Sequence, residues 1–172
     1  MGGETPDSLQ IGTIGVGRGR LGLCRLPGLG GDLSGDLAVV ADWRPSLVVS
    51  LTERAEMEAV GCGMLGGRLA SLGIAWAHLP IRDFEVPAGA TEAAWPDLAV
   101  RLHTLLDAGG RVLLHCRGGL GRSGMIALRL LIERGEEPAP ALSRLRAVRP
   151  GAVETGEQMD WARAGRQSRR AV

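Results

Sequence analysis

Short apolar runs separated by Gly- and Pro-rich breaks set the frame of the chain. Residues 11–16 and 21–25 each read as a strand, and Gly17-Arg18-Gly19 between them supplies hairpin turn chemistry. After a break at 27–31, residues 33–43 place Leu37, Val40 and Ala41 on one helical face, and Pro45 stops them. Leu47-Val48-Val49-Ser50-Leu51 is a compact, partly β-branched run, the mark of a buried strand. Helical residues follow at 53–59 and 64–72, the latter ended by Gly73, and 74–79 resume as a strand up to Pro80. A polar loop at 81–91 comes next. Leu98, Leu102, Leu105 and Leu106 fall at helical spacing within 96–108, with Pro96 at the first helical position and Gly109-Gly110 as the stop. Val112-Leu113-Leu114 within 111–115 makes another buried strand, and a helix at 123–134 leaves the Gly-rich segment behind it. Two further helices, 139–149 and 154–166, flank Pro150-Gly151. Strands alternating with helices predict an α/β fold.

At 172 residues the chain is expected to be a single domain, with about 1–9 and 167–172 as flexible ends. Its cations are all Arg, 20 against 19 acids, for a net charge of +1, which lacks the basic field that would recommend nucleic acid as a partner. Residues 1–10 have no basic flank or apolar core of a signal peptide, and no apolar run reaches about 18 residues, so a cytoplasmic protein without a membrane span is expected. The chain has no Lys, Asn or Tyr, which reads as the codon bias of a GC-rich genome. Cys24, Cys62 and Cys116 are widely spaced and form no CxxC pair, so neither a disulfide framework nor a zinc site is indicated.

Cys116-Arg117-Gly118-Gly119-Leu120-Gly121-Arg122-Ser123-Gly124 links a predicted buried strand to a predicted helix. Its glycines let successive amides curl toward one centre, and the helix N-terminus adds unpaired N–H groups, which together make a cradle for a tetrahedral anion. Such a field favours a cysteine's thiolate over its thiol. The planar fork of Arg122 can hold two phosphate oxygens at once. Ser123 can donate a hydrogen bond to the sulfur, and His115 is expected to orient the loop.

His115-Cys116-x5-Arg122-Ser123 resembles the signature of the cysteine-based protein tyrosine phosphatase superfamily. The inner residues are most similar to the dual-specificity branch, in particular to kinase-associated phosphatases and their bacterial relatives. The resemblance implies a central mixed sheet of about five strands flanked by helices and a phosphocysteine intermediate on Cys116. It further implies phosphate binding by Arg122 and the amides of Arg117, Gly118, Gly119, Leu120 and Gly121, with no metal or other cofactor. The expected activity is hydrolysis of phosphotyrosine, with phosphoserine and phosphothreonine of proteins as further substrates, by a monomer. A phosphatase of a polyphosphorylated small molecule or phosphoinositide, a phosphate-binding module without turnover, and a sulfurtransferase stand as alternatives.

Cleavage of a phosphate ester needs a proton for the leaving oxygen. Trp95-Pro96-Asp97 spells the tripeptide that names the acid loop of tyrosine phosphatases, yet Asp97 falls in the first turn of a predicted helix, where capping explains it. Asp83, in the loop Pro80-Ile81-Arg82-Asp83-Phe84-Glu85-Val86-Pro87, is the preferred acid and is expected to activate the water that hydrolyses the phosphocysteine as well; Asp-x-x-Val-Pro resembles the family's acid segment. Gln158, within Arg149-Pro150-Gly151-Ala152-Val153-Glu154-Thr155-Gly156-Glu157-Gln158, is the candidate for positioning the hydrolytic water, against an exposed helical Gln. Thr52, Glu53 and Glu56 either line the cleft or, for the two acids, pair along a helix. Phe84, Trp76 and Trp43 are the residues that could form an aromatic wall. Cys24 or Cys62 could pair with Cys116 on oxidation.

Overall fold

The computed structural model describes residues 7–168. Among them, β1 (Gly12–Val16) and β2 (Gly19–Cys24) form the expected hairpin, closed by a turn in which Gly17 takes φ +58. The chain continues through α1 (Leu33–Trp43), β3 (Leu47–Ser50), α2 (Arg54–Ala59), α3 (Leu65–Ser71), β4 (Trp76–His78) and α4 (Ala90–Asp107). β5 (Arg111–His115), α5 (Gly121–Glu133), α6 (Pro138–Val148), α7 (Gly156–Arg163) and α8 (Gly165–Ser168) complete it.

The strands form one five-stranded mixed sheet in the order β1-β2-β5-β3-β4. β1 is antiparallel to β2 and every other pair is parallel. β5 therefore sits at the centre, flanked by β2 and β3. Buried on both faces, it carries Val112, Leu113 and Leu114 at zero exposure, which is why its sequence reads as a continuous apolar run. The two faces carry separate cores. One packs Leu21, Leu23, Leu47, Val49, Val112 and Leu114 under α4 and α5; the other packs Val48 and Leu113 with Leu37, Val40, Leu65 and Leu69 under α1 and α3.

Two expectations are corrected. The helix placed at 96–108 begins at Ala90, so Pro96 is inside it and Trp95-Pro96-Asp97 lies on its second turn. Gly89 at φ +56 turns the chain into the helix, and the Ala-rich first turns carry it to Pro96, whose missing N–H removes only one intrahelical bond. The expected flexible end at 1–9 is held at 7–9: Leu9 is buried, and the Asp7 carbonyl accepts Arg25 Nη2 at 2.9 Å. Residues 1–6 and 169–172 lie outside the described residues. None of the described helices is long and apolar enough to cross a membrane.

Candidate active site

Cys116 follows β5 directly and α5 opens at Gly121, so residues 117–120 turn back over the end of the sheet. Gly119 sits at φ +74, and a Cβ there would run into the Cys24 carbonyl and the Arg25 amide, so only glycine fits. Three successive carbonyls are drawn to the outside of the turn. Arg117 O accepts Leu26 N–H at 3.0 Å, Gly118 O accepts Arg149 Nη2 at 2.8 Å, and Gly119 O accepts Arg149 Nε at 3.0 Å. In a planar trans peptide the next N–H points the opposite way, so the amides of 118–120 face inward. Gly119 N–H accordingly donates to Cys116 Sγ at 3.2 Å.

Arg122, on the first turn of α5, is the largest fully buried side chain in the molecule's described part. Its Nη1 and Nη2 meet Glu56 Oε2 and Oε1 at 2.7 and 2.8 Å, a two-pronged pair, and Nη1 also donates to Ile81 O at 2.8 Å. Burial presses the guanidinium toward its neutral form, but Glu56, Cys116 and Asp83 more than reverse this and hold it charged. Burial likewise pushes the Glu56 carboxyl up, and its bonds with Arg122 and the Glu53 amide bring it below its ordinary value. Arg122 Nε, Ser123 Oγ and Thr52 Oγ1 are buried polar atoms without a partner among the described residues. The Nε–H edge thus remains to receive an oxyanion.

The loop after β4 brings Asp83 Oδ1 to 3.2 Å from Arg122 Nη2, and the same oxygen accepts Phe84 N–H at 3.0 Å. Phe84 takes φ +62, rare for a bulky residue, and is 57% exposed. Of the three candidate wall aromatics it alone stands free. Trp43 donates to Thr13 on β1, and Trp76 donates to Ser50 and stacks on His78 at 5.4 Å. Asp97 is elsewhere: it is exposed on α4, and the neighbouring Trp95 indole donates to Glu133 at the far end of α5, roughly 16 Å along that helix from Arg122.

His115 is fully buried and anchors the loop from beneath. Trp76 Nε1 can only donate, so Ser50 Oγ accepts from it at 2.8 Å and turns its own proton to His115 Nε2. That network leaves the imidazole proton on Nδ1, where it is donated to Cys116 O at 3.2 Å. Burial lowers the His115 pKa to about 4, so the ring is neutral at pH 7 and serves as a strut.

Gln158 is buried and belongs to the α7 cap: its N–H donates to Thr155 Oγ1, and its Oε1 accepts the amides of Glu154 and Thr155 at 3.0 and 3.2 Å. Its Nε2 donates to Glu85 O at 3.3 Å, tying the Asp83 loop to the loop wall at Gly121. Sequence reasoning singled out His115, Cys116, Asp83, Arg122, Ser123 and Gln158; the structure brings Asp83 onto Arg122 beside the Cys116 loop, with Ser123 next along α5, His115 beneath the loop and Gln158 holding the Asp83 loop from α7. It gave no special weight to Arg149 and left Glu56 between two roles. The pattern of one Glu three residues after another at a helix start was the available signal, but it cannot say which cation the second acid meets.

Comparisons with known proteins agree with this geometry. A family model described as a polymorphic toxin system, DSP-PTPase phosphatase, matches residues 31–136. Cyclin-dependent kinase inhibitor 3 of Mus musculus is 30% identical over 148 residues, covering 82% of this chain and 69% of the relative. Tyrosine-protein phosphatase CDC14 of Saccharomyces cerevisiae is 34% identical over 73 residues, 38% of this chain and 13% of the relative. Among solved structures, kinase associated phosphatase with its catalytic-site cysteine replaced by serine superposes with a TM-score of 0.84 at 25% identity, over 98% of this chain and 99% of that one. Tk-PTP in its active form gives 0.69 at 31% identity, over 87% and 92%. The chain belongs to the cysteine-based dual-specificity phosphatase family and is a phosphatase hydrolase.

Proposed function

We propose that this phosphatase hydrolyses phosphomonoesters of proteins, phosphotyrosine first and phosphoserine or phosphothreonine second, with Cys116 as nucleophile. The observation that carries the assignment is the Cys116 sulfur under the inward amide of Gly119, with the Arg122 fork fixed beside it by Glu56. The Cys116 thiolate attacks phosphorus and the leaving oxygen departs with a proton from Asp83. Arg122 and the amides of Arg117, Gly118, Gly119, Leu120 and Gly121 hold the three phosphoryl oxygens as charge spreads over them. Water, giving its proton to the same Asp83, then cleaves the phosphocysteine, and the Ser123 hydroxyl, buried and without a partner among the described residues, is available to stabilise the departing thiolate. His115 and Gln158 hold the two walls, Gln158 also being the candidate for orienting water. Phe84 at the mouth supports an aryl phosphate as the preferred ester. The proposal takes the protein as one cytoplasmic domain, monomeric and independent of metal.

The test is hydrolysis of para-nitrophenyl phosphate in EDTA by the wild type and by Cys116→Ser, Asp83→Ala and Asp97→Ala. Turnover that vanishes with Cys116→Ser and drops with Asp83→Ala, while Asp97→Ala keeps it, is the expected result. A loss with Asp97→Ala alone moves the acid to the other loop. A wild type that binds vanadate without turnover marks a binding module.

Arg117, exposed in the loop, favours a second reading in which the substrate carries further phosphates. An inositol polyphosphate hydrolysed faster than a phosphotyrosine peptide, and slowed selectively by Arg117→Ala, would establish it.

A further inference from the structure

Two glycines leave the amides of the Cys116–Arg122 loop free to point either way. Gly118 and Gly119 have no side chain to bias the two peptide planes that follow them, and Gly119 already stands at φ +74. Were either plane turned over, a carbonyl oxygen would face the Cys116 sulfur in place of an N–H, and an anion would be repelled. The inward orientation has to be imposed from outside the loop.

Arg149 imposes it. One edge of its guanidinium spans two successive carbonyls, Nη2 donating to Gly118 O at 2.8 Å and Nε to Gly119 O at 3.0 Å. The N–H groups of those two peptides are the ones of Gly119 and Leu120. Arg149 stands directly after α6, and its own amide donates to Leu145 O at 2.9 Å, so the side chain springs from a helix end. The turn beyond it is stapled in the same manner. Arg146 holds the Ala152 and Val153 carbonyls at 2.9 and 3.2 Å while Val153 takes φ +66, rare for a β-branched residue, and Val153 N–H reaches Leu120 O at 3.1 Å. Residues 146–153 thus grip the carbonyls of Gly118, Gly119 and Leu120 in succession. Unlike Arg122, which is paired with Glu56, the half-buried Arg149 meets no carboxylate among the described residues, so its charge bears undiminished on the back of the loop. Burial pushes the thiol of Cys24, at the end of β2, up to about 12, and Arg149 is the strongest of the charges that oppose the rise. A cation at the oxygen end of a peptide also polarises it and strengthens its N–H as a donor.

We propose that Arg149 is a positioning residue for phosphoryl transfer: it fixes and polarises the two peptides behind Gly119 N–H and Leu120 N–H, so that both donors meet the phosphoryl oxygens as charge develops on them. The proposal rests on the function assigned above. Arg149 itself neither touches the substrate nor moves a proton, and its effect falls on the transition state, where preorganised donors count most.

Steady-state kinetics on para-nitrophenyl phosphate, with inhibition by vanadate and by inorganic phosphate measured in parallel, test the assignment. Vanadate bound to a cysteine takes the five-coordinate geometry of the transition state, whereas phosphate reports the ground state. Arg149→Met keeps the apolar stem and removes the fork. It is expected to lower kcat about 10²-fold and to weaken vanadate inhibition by a similar factor, with KM and phosphate inhibition changed less than about tenfold. Arg149→Lys, which restores the charge and one of the two bonds, recovers part of kcat and of vanadate affinity. The proposal is overturned if Arg149→Met matches the wild type in kcat and vanadate inhibition, or if vanadate and phosphate weaken equally, which would mark a general loosening of the site. Should Arg149→Met fail to fold, Arg149→Lys carries the same comparison at a smaller size, and equal losses there overturn the proposal as well. A wild type without turnover, or a Cys116→Ser variant that retains it, overturns the underlying function instead, so the two failures are told apart by those controls.

Discussion

Arg122 and Glu56 are joined by two parallel hydrogen bonds of 2.7 and 2.8 Å across 66 positions of sequence. With the Ile81 carbonyl on Nη1 and Asp83 on Nη2, the pair fixes the guanidinium by its two terminal nitrogens and leaves Nε without a partner among the described residues. Replacing the carboxylate by an amide keeps the shape and removes the charge-assisted clamp. Glu56→Gln is expected to lower kcat/KM about 10²-fold, since a small misplacement of a positioning group costs that much. With Arg122 left buried and half-paired, the melting temperature should fall by about 4–8 °C, the equivalent of about 2 kcal/mol. Steady-state kinetics with calorimetry check both, and unchanged kinetics would leave Glu56 a purely structural partner.

Proton donation matters most when the departing oxygen is a poor leaving group. Asp83→Asn is therefore expected to depress hydrolysis of a phosphoserine peptide by about 10²–10⁴-fold and that of para-nitrophenyl phosphate by much less. Equal losses on both substrates would mean that Asp83 acts on the geometry of Arg122 and not on the leaving group. Asp97→Ala, on the exposed face of α4, should match the wild type on both.

His115 gives stability a defined pH dependence. Its pKa falls from an ordinary 6.5 unfolded to about 4 folded, because burial opposes the charged ring. Between those values the unfolded chain binds a proton that the folded one refuses, so stability declines as pH falls from about 6.5 to 4, by about 3 kcal/mol in total. Glu56 and Glu133, both held below their ordinary range, add to the decline only at its acid end. Urea unfolding at pH 7, 6 and 5 should show the trend, and His115→Asn should flatten it; a wild-type curve already flat above pH 5 would contradict the buried neutral ring.

Phe84 should select the alcohol side of the ester. Phe84→Ala is expected to reduce kcat/KM for a phosphotyrosine peptide about tenfold, the worth of one aromatic contact, while sparing a phosphoserine peptide. A uniform loss on both would show that the residue shapes the Asp83 loop alone.

The strand-to-helix order and the Cys116–Arg122 loop were legible because both rest on local signals: continuous apolar runs for strands buried on two faces, and a fixed spacing between strand end and helix start. The start of α4 was not. Pro96 looked like a first helical residue, because a proline at a start and a proline tolerated on the second turn have the same sequence appearance, and the preceding Ala90-Thr91-Glu92-Ala93-Ala94 carries no apolar stripe to mark it. Glu56 and Arg149 were equally hard to place. Each acts through a partner 66 or about 30 positions away, and nothing local reveals which of several acids or arginines will arrive there. Gln158 was legible as a residue but not as a cap whose amide ties two loops together.

The helix that leaves the loop, α5, is buried along its whole length from Gly121 to Glu133. Most helices of a small protein can fray or tilt on their solvent side, but this one has none. Cys116 and Arg122 are thus coupled to the same cooperative unit as the sheet, and partial opening elsewhere leaves their relative positions intact until that unit melts. Catalytic competence in such an arrangement behaves as an all-or-none property of the chain, lost at the global transition and not gradually ahead of it.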